Sequence, residues 1–132
     1  MTDLALRAYA YADELLVAAR EDFAEQIGRE GGFVPEGPKW TVMAGGQVVG
    51  VAGLEHQGGQ RWSAWAYMAP LGPRQWLAAG RMARERLTGL EWLARRILAV
   101  PTPDPKHHAA AVRLLKRIGF VEVGEPYMVW EG

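Results

Sequence analysis

The chain has 132 residues, 49% hydrophobic and 23% charged, with zero formal net charge and no cysteine. That size fits one soluble globular domain with a real core, and the missing cysteines exclude a disulfide framework, a thiol nucleophile and a cysteine-ligated metal. The even balance also argues against broad nucleic-acid binding, which needs a phosphate-neutralising excess of cations.

The charges are unevenly placed: residues 1–60 hold four Lys or Arg against nine Asp or Glu, and residues 61–132 hold eleven against six. The basic half therefore suits a small phosphorylated ligand. No apolar run approaches the roughly 18–20 residues of a membrane span, and the acidic start MTDLALRAYAYADE lacks signal-peptide regions, so no membrane and a cytoplasmic location are expected. Six tryptophans are read mainly as bulky core residues.

Leu4–Tyr9 reads as a first strand, and Ala12, Leu15, Leu16, Ala19, Phe23 and Ile27 then recur at helical spacing, with Asp13 and Glu14 favouring the helix start. Residues 28–39 are rich in glycine and proline and form a loop. Trp40–Ala44 and Gln47–Glu55 read as strands joined by a Gly45-Gly46 primed turn, and Gly58-Gly59 leads into a third, Trp62–Met68. Pro70 and Pro73 end this meander, and Pro73 pre-sets a long helix whose Trp76, Gly80, Ala83, Leu87 and Leu90 share one face. Thr88-Gly89 breaks it before a short turn at Leu90–Leu93. Arg96–Val100 is a strand halted by Pro101, Pro103 and Pro105.

The clearest stretch is residues 106–124. Ala111, Leu114, Leu115 and Ile118 form one apolar face, Arg113, Lys116 and Arg117 the wet one, and Gly119 supplies the stop before a strand from Phe120. Tyr127–Trp130 closes the chain as a last strand. The predicted architecture is a mixed α/β (α+β) single domain over residues 1–132, with a mostly antiparallel sheet of six to seven strands flanked by helices.

The ending A-x-x-L-L-x-x-I-G-F over Ala111–Phe120, taken with this element order, resembles the GNAT N-acetyltransferase superfamily over nearly the whole chain. The resemblance implies an acyl-CoA-dependent N-acyltransferase, with acetyl-CoA as co-substrate and an amine acceptor that is either a small molecule or a protein; a homodimer is left open. In that family the fourth strand and the start of the long helix hold the cofactor, through a Q/R-x-x-G-x-G/A turn facing the pyrophosphate. Gln75-Trp76-Leu77-Ala78-Ala79-Gly80 is similar to that turn, with Ala78 at the first glycine. Tyr67, Met68, Arg74, Gln75, Ala78, Ala79, Gly80 and Arg81 are the cofactor-binding candidates. His108 joins them where relatives carry a pantetheine-contacting asparagine.

Leu115 stands where many relatives place the tyrosine that protonates the departing thiolate, so one expected catalytic factor is missing. Since an amine must lose its proton before attack, Glu55 and His56 are the candidate general bases, and Tyr127 falls where relatives close the acceptor pocket. His107-His108 is a poor metal set without a nearby carboxylate cluster, so no metal is expected. The segments Val17–Asp22 and Ala111–Phe120 are also similar to GNAT-like proteins of tailed phages, some described as internal virion proteins. That second resemblance implies a non-catalytic GNAT-fold binding protein, in the host cytoplasm or the virion.

Overall fold

The computed structural model describes residues 3–17, 34–90 and 96–132. Seven strands form one sheet in the order β1-β2-β3-β4-β5-β7-β6: β1 Leu4–Ala8, β2 Lys39–Ala44, β3 Gln47–Gly58, β4 Arg61–Met68, β5 Arg96–Ala99, β6 Phe120–Glu122 and β7 Met128–Trp130. Helix α1 spans Pro73–Gly89 and helix α2 spans His108–Ile118. Among the described residues no helix is long and apolar enough to cross a membrane.

The meander β1 to β4 is antiparallel, and its first hairpin closes through Gly45 (φ 56°) and Gly46 (φ 80°), the two positive angles that a primed turn requires. Among the described strands only β4 and β5 run parallel, as the α1 crossover demands. Gly119 (φ 128°) ends α2, its N–H reaching Leu115 O, and the chain enters β6.

Leu54, Leu87, Ile97, Ala99, Ile118, Phe120 and Met128 form the main core, with Trp62, Ala64, Leu114 and Leu115 packed against it. Both helices therefore cover the sheet face that carries Trp62 and Ala64. The opposite face carries the alternate residues, including the cross-strand row Arg7, Thr41, Val51 and Tyr67.

One expectation for the N-terminal segment is overturned. Residues Asp13–Leu16 form a single 3-10 turn after a left-handed Ala12 (φ 69°), and Leu15 and Leu16 are 79% and 66% exposed rather than on a buried stripe. Ala19, Phe23 and Ile27 lie outside the described residues, as do positions 91–93 of the turn expected after α1.

Asp13 neither caps the turn nor faces solvent. It is buried, accepts two hydrogen bonds from the Arg7 guanidinium (2.8 and 3.0 Å), one from Thr41 Oγ1 (2.6 Å) and one from Ala10 N–H (2.9 Å). The hydrogen-bonded Arg7 guanidinium chiefly, with Thr41 adding to it, holds the Asp13 carboxyl down at about 2 against burial. This network ties β1, β2 and the 3-10 turn together on the face away from the helices.

Candidate functional site

Strand β4 has two unlike halves. Arg61–Ala64 pair with β3 on one side and with Arg96–Ala99 of β5 on the other. Beyond Ala64 the partner on the second side stops, because Pro101 follows Val100 and proline cannot extend a ladder. Trp65–Met68 keep only β3 beside them, and the sheet opens between the ends of β4 and β5.

The backbone groups at this opening follow from two hydrogen bonds. Ala69 N–H reaches Val49 O (2.8 Å), in register with the antiparallel pairs that follow, so the odd residues Trp65 and Tyr67 turn their N–H and C=O toward β3. On the other side Arg96 N–H reaches Gln60 O (3.2 Å), so the even residues face β5. Ala66 and Met68 therefore direct both backbone groups into the open side, in register about 7 Å apart. An extended chain with amide groups can pair with such an edge.

The opening leads directly to a helix start. Gly72 is the N-cap of α1, in extended conformation (φ −73°, ψ 165°), and supplies no side-chain hydrogen bond to the first turn; Pro73 follows at N1. Gln75 Oε1 instead accepts the Gly72 N–H at 3.1 Å. The positive end of a 17-residue helix thus follows the open half of β4 within a few residues, with no acidic side chain in its first turn, an arrangement that suits phosphate oxygens.

Of the expected cofactor residues, Tyr67, Met68, Arg74 and Gln75 border this corner, though the buried Met68 side chain lies over Gly50 and leaves only its backbone there. The turn expected over Gln75–Gly80 is helical. Because α1 already begins at Pro73, Ala78, Ala79, Gly80 and Arg81 sit in its second and third turns, where helix geometry commits their N–H groups to carbonyls four residues back. Gly80 is buried against α2: a Cβ there would lie 3.2 Å from Leu114 Cδ1 and 3.7 Å from Ile118 Cγ1. It lets the two helices pack closely, while Arg81 is exposed.

His108 begins α2, and its Nδ1–H donates to Thr102 O (2.8 Å), fastening the proline-rich link. Leu115 packs against the main core. Tyr127 is half-buried just before β7. The β5–β7 register, Ala99 with Met128, carries Tyr127 alongside Val100, where β5 leaves the sheet.

Glu55 and His56 lie toward the paired half of β4, opposite Ser63 and Trp62. Glu55 is exposed on the face that carries Ser63, Trp65 and Tyr67. His56 is on the helix-covered face and already engaged. Its Nε2–H donates to Gly59 O (2.7 Å) and its ring leans on Trp62 with centroids 4.8 Å apart.

Neither a protein-family model nor a curated protein sequence matches the chain. Solved structures do match. Aminoglycoside 6'-acetyltransferase type Ii shares 14% identity at a TM-score of 0.68, over 96% of this chain and 94% of its own. The GNAT family N-acetyltransferase YhbS from Escherichia coli in complex with CoA shares 19% at 0.59, over 98% and 82%. A GNAT family acetyltransferase from Brucella melitensis in complex with acetyl-CoA shares 12% at 0.59, over 98% and 88%. The chain has the GNAT fold.

Proposed function

We propose that the protein is an acyl-CoA-dependent N-acyltransferase that moves an acyl group, most simply acetyl, from coenzyme A to an amine. The observation that carries this reading is the opening past Ala64, where the backbone of Ala66 and Met68 faces outward beside the glycine-capped start of α1. An arm with two amides and a pyrophosphate matches those features: strand-edge groups for the amides, a positive helix end for the phosphates. Structural likeness to acetyltransferases solved with CoA or acetyl-CoA supports the same assignment.

In the reaction the amine nitrogen forms a bond to the thioester carbonyl carbon, the carbon–sulfur bond breaks, and sulfur leaves with the electron pair. Glu55 is the base we favour for the ammonium proton, because His56 is bound into the hairpin on the other face. With Leu115 in the core, the thiolate takes its proton from water, a modest loss for a good leaving group held in place.

Leu115 also favours one second reading, a GNAT-fold binding protein that holds CoA or a protein partner without turnover. Calorimetric titration of acetyl-CoA into wild type and Gly72→Asp tests the site. Wild type binds at micromolar Kd; the variant binds about tenfold more weakly through like charge at the phosphates, although Asp is the better N-cap and its thermal stability holds or rises. No heat with wild type at millimolar ligand contradicts the reading.

A further inference from the structure

Gly50 of β3 and Met68 of β4 stand directly opposite each other, on the sheet face that the helices cover. The backbone groups of Met68 turn to the open side, so this is a non-hydrogen-bonded pair, the kind whose Cα atoms stand only about 4.5 Å apart and whose side chains crowd most. Gly50 has no side chain to place there, and Met68 takes the room. A Cβ built at Gly50 would fall on Met68 Sδ and lie 2.7 Å from Met68 Cε, so the end of the Met68 side chain lies above β3 itself. It is buried in that seat, with 3% of the residue exposed.

The seat matters because of the other flank of β4. Beyond Ala64 this strand pairs with β3 alone, and no described strand pairs with it on the β5 side. Methionine is unbranched and has three rotatable bonds, so it can lie to either side of its own strand. Turned toward β3, it fills the space over Gly50. Turned the other way, it would lie across the helix side of the opening, against the outward backbone of Ala66 and Met68.

We propose, resting on the acyltransferase reading above, that Gly50 is a positioning residue of the cofactor site: its missing side chain seats Met68 over β3 and keeps the opening clear for the acyl-CoA arm. Gly50 touches no part of the arm and acts through Met68. A methyl at position 50 closes the seat, and the flank with room for the displaced side chain is the one the cofactor needs.

The test combines calorimetric titration of CoA with the 13C-methyl signals of methionine-labelled protein. The Met68 signal is identified by its loss in Met68→Ala. In wild type this methyl is expected to give a nuclear Overhauser contact to the Gly50 α-protons, with or without CoA. In Gly50→Ala the atoms that must move are the flexible end of Met68, while Tyr67 O, 3.3 Å from the new carbon, has to yield only slightly, so the variant folds. It is expected to bind CoA about tenfold more weakly than wild type. Gly50→Ala/Met68→Ala recovers most of that loss, because the displaced side chain is gone. A merely structural defect would not be repaired by deleting a second buried side chain. Wild-type affinity in Gly50→Ala, a double variant as weak as the single one, or no Met68–Gly50 contact in wild type overturns the proposal. Absence of CoA binding by folded wild type that still shows the contact is a separate failure, and it removes the acyltransferase reading together with the role given to Gly50.

Discussion

The two halves of β4 have nearly the same local sequence character, Arg-Trp-Ser-Ala and Trp-Ala-Tyr-Met, and opposite surroundings. The first half is held on both sides and contributes Trp62 and Ala64 to the core; the second is held on one. Nothing within β4 makes the difference. It is imposed by Pro101, which stops β5 two residues after Ala99, and by Gly72 and Pro73, which start a helix at the mouth of the resulting opening. An opening of this kind is made by ending a neighbour, and its polar groups are ordinary backbone.

The strongest way to break that comparison is to remove one N–H from each side of the open half. Tyr67→Pro deletes a bond to β3 and is expected to cost about 3 kcal/mol or more, whereas Ala66→Pro deletes an outward-facing N–H, costs about 1 kcal/mol and folds, but loses acetyl-CoA affinity. Chemical denaturation with calorimetry separates the two. Equal destabilisation by both would mean that Ala66 does not face outward.

A smaller effect sharpens the contrast from the far side of the sheet. Asp13→Asn is expected to cost about 2 kcal/mol by weakening the charge-assisted bonds from Arg7 while leaving cofactor affinity alone. The pH dependence has a definite sign. Asp13 titrates at about 2 in the fold against an ordinary 3.8, so its stabilisation is full above that ordinary value and is lost as pH falls toward 2. Melting curves between pH 5 and pH 2 should fall less steeply for the variant than for wild type. Smallest of all is Gly80→Ala, where the new methyl crowds Leu114 Cδ1 at 3.2 Å as helix propensity improves. A net change within about 1 kcal/mol and unchanged acetyl-CoA affinity are expected; weakened binding would return Gly80 to the site.

Element order and the helix from His108 to Ile118 were legible because their signals are local: 3.6-residue apolar spacing, a glycine stop, glycine pairs at turns and prolines at strand ends. The first segment was not. Leu15 and Leu16 keep helical spacing yet are exposed, while Asp13 is drawn into an ion pair with Arg7 of β1 and a buried hydrogen bond from Thr41 of β2 that no spacing reveals. The candidate site was legible only to its neighbourhood. Tyr67 and Met68 lie on the strand that borders the opening, but the groups that face outward are backbone, their parity fixed by the β3 register, and Gly72 carries no side chain to notice. Gly80 shows the converse case, a motif-like glycine whose immediate neighbours are Leu114 and Ile118.

The central claim is that the open half of β4 and the start of α1 hold acyl-CoA, and amide chemical shifts during a titration of 15N-labelled protein with acetyl-CoA test it most directly. The account predicts large shifts at Ala66, Met68 and Arg74 and small ones at Trp62 and Ala64, whose backbones are already paired with β5. Shifts confined to another part of the sheet, or none at millimolar ligand, would contradict it.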